Sequence, residues 1–219
     1  MLTGKPDIIY YFDKFFWARP IFFLGGLEVD YREDPELPDK GFLYLFNHTS
    51  YNDIISMIGY LPKPPKFGAK VELFKIPFFG RAMKSVGILP IHRGQREKVL
   101  QLYRETKKRV ESGETFALAP EGTRQDQDHL GKFKKGPFLF AINAQMPIVP
   151  LVIAGARQTQ PKGSYIMNVG KLKRKIILKA LAPINASDYT EEQISELQIA
   201  VRNKMEPEYN RLKAELNID

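Results

Sequence analysis

The 219-residue chain contains no cysteine and only three histidines. The absence of cysteine excludes disulfide bonds, thiol nucleophiles and thiolate metal sites. His48, His92 and His129 lie far apart in the chain, so no local histidine cluster predicts a zinc site. Hydrophobic residues make up 43% of the chain and charged residues 26%, a balance that is typical of a folded globular protein and excludes wholesale disorder.

The N-terminal region lacks the long uninterrupted apolar run of a membrane-spanning helix. Such a helix needs about 20 consecutive apolar residues, whereas the stretch 8–27 is interrupted by Asp13, Lys14, Arg19 and Pro20. The few basic residues before this stretch and the charges inside it also argue against a secretory signal peptide. We therefore expect neither a spanning helix nor a cleaved leader at this position.

Aromatic residues are concentrated in the same N-terminal stretch. They are Tyr10, Tyr11, Phe12, Phe15, Phe16, Trp17, Phe22 and Phe23. Several recur at helical spacing, but the opposite side of the helix is apolar as well. Two interpretations are open: a half-buried core helix, or an interfacial helix in the lipid headgroups, where Trp and Tyr are favourable.

The net charge of +8 is distributed unevenly along the chain. Residues 1–59 carry a net charge of −4, residues 60–110 a net charge of +10, and residues 111–219 a net charge of +2. Such a surplus indicates an anionic partner: a nucleic acid, a phosphorylated substrate or a membrane surface. Nucleic acid is disfavoured, because prolines divide the middle segment into loops and no familiar nucleic-acid-binding motif occurs in the sequence.

Beyond the aromatic stretch, predicted strands alternate with predicted helices. The expected strands are 41–46, 85–90, 114–120 and 147–153, followed by a hairpin of 165–169 with 173–182. The expected helices are 51–60, 95–112, 135–144 and 187–216, the last interrupted by Pro207. This alternation predicts a single α/β domain, residues 28–219, with a largely parallel central sheet flanked by helices. Residues 1–27 form a separate N-terminal appendage.

The first predicted strand ends at a histidine, and an aspartate follows five residues later. In an α/β fold, functional groups gather where strands end and helices begin. Asp53 could accept the proton of one imidazole nitrogen of His48, which leaves the other nitrogen free to take a proton from a substrate hydroxyl. The competing interpretation is structural, because Ser50 and Asp53 also fit a capping box that closes the start of a helix.

Other predicted strands also end in, or contain, residues of interest. Pro120 to Arg124 reads Pro-Glu-Gly-Thr-Arg; arginine suits phosphate, and glycine lets backbone N–H groups approach an anion. A tight turn with a solvated ion pair is the alternative. Arg93 follows a second strand, and the strand 147–153 contains two prolines, which suit an edge strand or the wall of an apolar slot.

These motifs together resemble the glycerolipid acyltransferase family, whose bacterial members make phosphatidic acid from 1-acyl-glycerol 3-phosphate. The family's His-x4-Asp motif is matched by His48 and Asp53, and its Pro-Glu-Gly-Thr-Arg motif is intact at 120–124. The family's block of a glycine, an apolar run and an arginine resembles 87–93, and its proline-containing strand resembles 149–153. All four blocks occur in the family's order.

The resemblance implies direct acyl transfer to the free hydroxyl of a lysophospholipid, expected to be 1-acyl-sn-glycerol 3-phosphate. His48 would be the general base, and Asp53 would hold its tautomer. The co-substrate would be an acyl thioester, carried either by coenzyme A (acyl-CoA) or by acyl carrier protein (acyl-ACP). The reaction would need no metal and no bound cofactor. No acyl-enzyme is required, which agrees with a chain that has neither cysteine nor a G-x-S-x-G elbow.

The same resemblance implies which residues surround the substrates. The residues expected at the phosphate or glycerol end of the acceptor are Arg93, Glu121, Gly122, Thr123 and Arg124. Val149 and Pro150 would line the acyl slot or support it structurally.

The resemblance also implies a location at the membrane, because lysophospholipid and product both reside in the bilayer. Residues 8–23 then read better as an interfacial anchor, with the enzyme peripheral or monotopic on the cytoplasmic face. The basic middle segment would face anionic headgroups or the anionic donor, and no nucleic-acid partner is expected. Two alternatives remain: another acceptor, such as lyso-ornithine lipid, glycerol 3-phosphate or lysophosphatidylglycerol, or a non-enzymatic basic protein that binds membranes or nucleic acid.

Overall fold

The structure is a computed structural model and describes residues 6–34, 36–63, 65–91, 96–164, 167 and 174–218. Its strands are β1 (Leu27–Glu33), β2 (Leu43–Phe46), β3 (Pro65–Lys70), β4 (Leu89–Ile91), β5 (Thr115–Leu118), β6 (Pro147–Ala154), β7 (Arg174–Ala180) and β8 (Ile184–Asn185). Its α-helices are α1 (Pro6–Asp13), α2 (Arg19–Leu24), α3 (Asn52–Tyr60), α4 (Phe79–Ser85), α5 (Arg96–Glu111), α6 (Lys135–Ala144), α7 (Ala156–Thr159) and α8 (Ile194–Glu215). Strands and helices alternate along most of the chain.

The strands of the described residues form one sheet of eight strands in the order β1-β7-β6-β2-β5-β3-β4, with β8 paired to β6. Strands β6, β2, β5, β3 and β4 are mutually parallel. Strands β7 and β8 pair antiparallel with β6, and β1 follows the direction of β7. The predicted α/β fold with a largely parallel sheet is therefore confirmed, and the carboxyl ends of five strands share one edge.

The two faces of the sheet are covered by different helices, and β2 shows how the sequence divides between them. Leu43 and Leu45 point into a cluster that includes side chains of α5, α6 and α8. Tyr44 and Phe46 alternate with them and point into a second cluster with Met57 of α3. Each large side chain buried in this way contributes roughly 1.5–3 kcal/mol, so this alternation sets the register of the central strand.

The N-terminal aromatic stretch is a continuous helix in which a π-helical turn, Lys14–Ala18, joins α1 to α2. One side of it packs on α3, where Ala18 and Phe22 are fully buried. Gly59 of α3 allows this close approach, because a Cβ there would lie 3.3 Å from the Cβ of Ala18. The helix is thus docked on the domain along one face.

Three side chains of this N-terminal helix also donate hydrogen bonds to carbonyl groups at the carboxyl end of α3. Lys14 Nζ donates to Leu61 O at 3.1 Å, and Arg19 Nε donates to Gly59 O at 3.0 Å. Tyr10 Oη lies 3.3 Å from Met57 O. The carbonyl of Met57 also accepts the N–H of Leu61 at 3.1 Å, so Tyr10 is a second donor to it. The two cations complement the negative end of the helix dipole.

The opposite side of the N-terminal helix exposes apolar side chains. Between 44% and 83% of each of the following residues is accessible: Ile8, Ile9, Tyr11, Phe12, Phe15, Phe16, Trp17, Phe23 and Leu24. The stretch is therefore a half-buried helix, with one face packed on the domain and the other open to solvent. Within the described ranges, no helix has the length and apolar character needed to cross a bilayer.

One predicted strand is misplaced, and two observed strands were not predicted. The strand predicted over 85–90 is only β4, Leu89–Ile91, because α4 continues to Ser85 and Gly87 turns the chain with φ of +79°. Strands β1 and β3 were not predicted, since neither is a continuous apolar run. The second arm of the predicted hairpin is β7, while most of its first arm, 165–169, lies outside the described residues.

The predicted interruption of the C-terminal helix at Pro207 is wrong. Helix α8 runs through Pro207 without a break, although it begins only at Ile194. Pro207 and Asn203, whose carbonyl loses its i+4 donor, both lie on the exposed side of the helix. Water can therefore satisfy that carbonyl, while Met205 and Tyr209 keep the helix packed on the core.

Candidate active site

The loop after β2 is held against β6 by Asn47. Its side-chain amide makes two hydrogen bonds to the main chain of Ile153: Nδ2 donates to the carbonyl at 2.8 Å, and Oδ1 accepts from the N–H at 2.7 Å. Asn47 is 1% exposed. Because both partners belong to a central strand, the amide fixes the position at which the next residue, His48, leaves the sheet.

His48 and Asp53 form the hydrogen bond that their spacing predicts. His48 Nδ1 lies 2.8 Å from Asp53 Oδ2, with 19% of the imidazole accessible and the carboxylate fully buried. The carboxylate can only accept, so Nδ1 carries the proton and Nε2 is left with its lone pair. Nε2 has no hydrogen-bond partner among the described residues, so it is available to a ligand.

Asp53 serves the helix start and the imidazole at the same time. Its Oδ2 also accepts the backbone N–H groups of Thr49 and Ser50, at 2.7 and 2.8 Å. Asp53 therefore makes the backbone half of the capping box and the hydrogen bond to the imidazole, whereas Ser50 Oγ does not contact Asp53. Three donors on one oxygen orient the carboxylate in a single direction and fix the side of the imidazole ring that it contacts.

Two further hydrogen bonds join this loop to the end of α7, and the sequence did not predict them. Ser50 Oγ donates to the carbonyl of Gln160 at 2.8 Å, and Asn52 Nδ2 donates to Thr159 Oγ1 at 2.7 Å. Both partners lie at the end of α7, more than 100 positions away. Ser50 is fully buried, and its Oγ contacts a main-chain carbonyl rather than the imidazole, so it is a structural residue.

Glu121, expected to contact the acceptor, turns inward instead. It is 2% exposed; Oε2 accepts the backbone N–H of His48 at 2.9 Å, and Oε1 accepts that of Gly131 at 2.8 Å. Burial raises the pKa of the Glu121 carboxyl, against the opposing effect of these two N–H groups. With both oxygens committed to main-chain donors, Glu121 ties the two loops of the site together.

The second loop turns outward after Glu121, at Gly122, Thr123 and Arg124. Gly122 has φ of +71°, a conformation that favours glycine, and Thr123 is exposed. The guanidinium carbon of Arg124 lies 3.8 Å from the ring centroid of Tyr51, a cation–π geometry that orients a partly exposed cation. Arg124 is thereby held beside the loop of His48, whose carbonyl accepts the next N–H, that of Gln125, at 2.7 Å.

A second cation, which the sequence did not assign to the site, lies beside the same turn. A Cβ placed on Gly122 would lie 3.1 Å from Lys134 Cδ and 3.5 Å from its Nζ. The lysine follows Phe133 immediately before α6, and its N–H donates to the carbonyl of Pro120 at 2.8 Å. Two cationic side chains therefore border the loop, which suits an anionic group.

Val149 and Pro150 are structural residues and not the wall of an open slot. Both are buried, and Val149 packs with Phe46 and Met57 in the second core cluster. Their strand, β6, is central rather than an edge. Pro150 is tolerated because it lies between the segments of β6 that pair with β8 and β7, where only its carbonyl is used, by the N–H of Leu181.

Arg93 lies outside the described residues, so the structure does not place it. The described chain reaches Ile91 at the end of β4, and β4 is parallel to β3. The sequence-predicted residues that the structure does bring together are therefore His48, Asp53, Glu121, Gly122, Thr123 and Arg124. They hold an imidazole with a free nitrogen next to cationic side chains at the carboxyl edge of the sheet, an arrangement suited to deprotonating a hydroxyl beside an anionic group.

Comparisons with known proteins agree with this arrangement. A family model described as Acyltransferase matches residues 28–154. A 1-acyl-sn-glycerol-3-phosphate acyltransferase of Escherichia coli is 31% identical over 199 residues, covering 88% of this chain and 77% of the relative. A chloroplastic enzyme of the same name from Arabidopsis thaliana is 31% identical over 198 residues, covering 85% of this chain but 54% of the relative.

A solved structure shows the same fold. The 1-acyl-sn-glycerophosphate acyltransferase of Thermotoga maritima superposes with a TM-score of 0.75 at 25% identity, covering 95% of this chain and 80% of that protein. The chain spans about half the length of the plant relatives it matches. The family model covers more than half of the chain and includes both loops of the site, so the chain belongs to the acyltransferase family.

Proposed function

We propose that this protein transfers a fatty acyl group from an acyl thioester to the free hydroxyl of 1-acyl-sn-glycerol 3-phosphate, giving phosphatidic acid. The observation that carries the proposal is the His48–Asp53 hydrogen bond of 2.8 Å. It orients a free imidazole nitrogen in a chain of the acyltransferase family. The names of the relatives in Escherichia coli and Arabidopsis thaliana support the choice of acceptor.

The proposed reaction is one direct displacement. His48 Nε2 takes the proton of the acceptor hydroxyl as the oxygen attacks the thioester carbonyl. The tetrahedral intermediate then collapses, the new ester C–O bond remains, the C–S bond breaks, and the departing thiolate takes the proton from the imidazolium. Asp53, with Oδ2 held by two backbone N–H groups, stabilises the imidazolium between these steps.

The cationic side chains at the second loop bind the acceptor phosphate in this proposal. Arg124 presents a planar fork of donors that suits phosphate oxygens, and its stacking on Tyr51 limits the orientations it adopts. Lys134, packed on Gly122, adds a second positive charge. Glu121 does not contact the acceptor but holds the main chain of His48 in place. No metal or bound cofactor takes part, and acyl-CoA and acyl-ACP are both acceptable donors.

We also propose that the exposed face of the N-terminal helix rests in a lipid surface, on the cytoplasmic side where acyl thioesters are made. Exposed contiguous apolar surface of this kind marks an interaction site, and Trp17 and Tyr11 suit the headgroup region. The docked face, with Ala18 and Phe22 fully buried, keeps the helix attached to the domain. The acceptor and the product then enter and leave the site from the membrane.

The experiment that tests the reaction uses the purified full chain, labelled acyl-CoA or acyl-ACP, and a panel of acceptors. We expect labelled phosphatidic acid with 1-acyl-sn-glycerol 3-phosphate. Glycerol 3-phosphate, lyso-ornithine lipid and lysophosphatidylglycerol are expected to give slower transfer. A preference for one of the other acceptors would overturn the assigned acceptor and retain the reaction class, whereas no transfer to any acceptor from either donor would overturn the enzyme assignment.

The membrane placement is tested by vesicle sedimentation of a Phe12→Ser, Phe16→Ser variant. Both side chains are more than half exposed and stack on each other with ring centroids 4.9 Å apart, so their removal should leave the fold intact and weaken vesicle binding at least tenfold. Ile199→Ser is the matched control, because Ile199 is 59% exposed on α8. Equal vesicle affinity of both variants would contradict the placement.

A further inference from the structure

A second group of exposed apolar side chains follows strand β3. Outside the N-terminal helix, the exposed large apolar residues of the described chain are Tyr51, Leu73, Ile76, Phe78, Phe79 and Ile199. Four of these six fall between positions 73 and 79, from a 3-10 turn (Val71–Lys75) through the connecting residues to the start of α4. Such clustering distinguishes this segment from the scattered apolar residues of an ordinary protein surface.

The most exposed of these side chains is presented by a strained turn. Phe78 is 80% exposed and has φ of +63° and ψ of −50°. The carbonyl of Pro77 accepts the N–H of Phe79 at 2.7 Å, which closes a γ-turn around Phe78, and the form of this turn with positive φ is rare and strained. Strain of this kind persists only where the surroundings hold it and is concentrated at functional positions.

The surroundings of Phe78 do hold the turn in this conformation. The N–H of Gly80 donates to the carbonyl of Ile76 at 2.9 Å, and the N–H of Ala82 donates to that of Phe78 at 2.9 Å. Gly80 is buried against the main chain of Phe74, where a Cβ would lie only 2.0 Å from the carbonyl oxygen. The inner side of the turn is therefore closely packed, and its outer side presents an aromatic ring to solvent.

Cationic side chains precede and follow this ring in the sequence, and one of them lies over it. Lys75, Arg81 and Lys84 are all exposed, and none forms an ion pair with a carboxylate in the described part of the chain. The Arg81 guanidinium carbon lies 5.5 Å from the ring centroid of Phe78. The only acidic residue between Lys70 and Ser85 is Glu72. An apolar tip that is accompanied by exposed cations complements a surface of acyl chains beneath anionic headgroups.

The turn also lies at the functional edge of the sheet. It begins after Lys70, the carboxyl end of β3, and β3 is parallel to β5 and β5 to β2, so it shares the edge at which His48 is placed. The N-terminal helix leads into β1, at the other end of the strand order. Leu27, the first residue of β1, pairs with the first residue of β7. The two apolar surfaces thus flank the site from opposite sides.

We propose that Phe78 and Phe79 form a second membrane contact, inserting into an anionic bilayer while Lys75, Arg81 and Lys84 bind headgroups. Two contacts on opposite sides of the site turn its opening toward the bilayer, which a single helix cannot do because the domain can rotate about it. This inference rests on the proposed membrane-bound acceptor. It extends that proposal by naming a separate surface that orients the enzyme.

The direct test places the only tryptophan of the chain at the tip of the turn, in a Trp17→Phe, Phe78→Trp variant. Vesicles of equimolar phosphatidylcholine and phosphatidylglycerol carry bromine on their acyl chains and quench an indole that inserts. We expect strong quenching. The matched control is Trp17→Phe, Ile199→Trp, with the indole on α8, and it should be quenched little. Equal quenching of both variants, or none at position 78, overturns the proposal.

A second variant tests the same surface without tryptophan. Phe78→Asn, Phe79→Ser removes both rings, and asparagine tolerates a positive φ; we expect at least a tenfold loss of vesicle binding. Arg81→Gln and Lys84→Gln should each weaken binding about fivefold to anionic vesicles and not to pure phosphatidylcholine. Circular dichroism confirms folding. Acyl transfer to acceptor dispersed in detergent should be unchanged, and it reports the proposed function separately from membrane contact.

Two other occupants of this surface would give different results. If it joins two copies of the chain, Phe78→Asn, Phe79→Ser changes the sedimenting mass and leaves vesicle binding unchanged. If it binds an acidic carrier protein, the variant loses transfer from acyl-ACP alone, again with vesicle binding unchanged. Either result would overturn the membrane contact.

Discussion

The loop after β2 and the loop after β5 lie side by side at the carboxyl edge of the sheet, and they use their polar side chains differently. In the first loop, Asn47, Ser50 and Asp53 are all buried and all bonded to main-chain groups. In the second, only Glu121 is buried, and Thr123 and Arg124 turn outward. The buried side chains of the first loop thus fix the position of one imidazole. In the second loop, the buried glutamate holds the first loop in place, and the outward cation is accessible to a ligand.

This difference has a physical basis in what each loop must do. A general base needs a fixed tautomer and position, which buried charge-assisted hydrogen bonds supply. A group that binds a mobile anion must be accessible, so its charge has to remain near solvent. Substitution of the inward-facing residues should therefore change the rate of acyl transfer, and substitution of the outward-facing residue should change acceptor binding.

The largest effect among these variants is expected at Asp53. Asp53→Asn keeps the shape but presents an amide donor near His48 Nδ1 and removes the charge that stabilises the imidazolium. We expect kcat for acyl transfer to fall about 10²- to 10⁴-fold, with the KM for the acceptor changed little. Steady-state kinetics in detergent would show it, and an unchanged kcat would mean that the carboxylate only caps α3.

Glu121→Gln should give the next largest effect. One of the two main-chain donors, from His48 or Gly131, would face an amide nitrogen and lose its acceptor, which costs about 1–3 kcal/mol. We expect kcat to fall roughly 10- to 100-fold with an unchanged KM for the acceptor. If Glu121 instead contacts the acceptor, the KM rises and kcat is preserved. That result would mean that Glu121 acts on acceptor binding and not on the position of His48.

Arg124→Ala, in contrast, should weaken acceptor binding more than it lowers kcat. Losing a charged hydrogen bond to phosphate costs about 1.5–3 kcal/mol, so we expect the acceptor KM to rise about 10-fold or more, with a smaller change in kcat. Arg124→Lys, which retains the charge but not the planar fork, should recover part of the affinity. The KM for acyl-CoA serves as the control and should stay constant; a rise in it alone would assign Arg124 to the donor.

The smallest predicted effect is a pH dependence of stability. Burial raises the pKa of Glu121 in the folded protein, so its contribution to stability is fully present below the unfolded pKa of about 4.3 and is lost as pH rises through the folded value. Glu121→Gln lacks this titration. The difference in melting temperature between wild type and variant should therefore narrow from acid to neutral pH, and a widening would contradict the buried placement.

The first loop could be predicted from sequence because its signal is local. A buried strand, a histidine and an aspartate five residues later place both groups at a helix start, and the structure joins them at 2.8 Å. The second loop could not, since the direction of Glu121 depends on two main-chain donors, one ten positions further along the same loop and one on the loop after β2. The Ser50 and Asn52 contacts to α7 are likewise invisible in the sequence, because their partners lie more than 100 positions away.

The strands, too, could be predicted where their signal is local. Continuous apolar runs identified the central strands, whose two faces are both covered. Strands β1 and β3 lie toward the two ends of the sheet order, where partial exposure leaves mixed sequences without a strand signal. The buried placement of Val149 and the uninterrupted α8 depend on which side of an element faces its neighbours, and that side is set by packing.

The most direct test of His48 as the general base is acyl transfer by His48→Ala. With purified protein, labelled acyl-CoA and 1-acyl-sn-glycerol 3-phosphate, we expect kcat to fall at least about a thousandfold. The far-ultraviolet circular dichroism and the vesicle affinity should match wild type, because 19% of the imidazole is accessible and its ring makes one hydrogen bond. Transfer that continues at the wild-type rate would contradict the assignment of His48 as the general base.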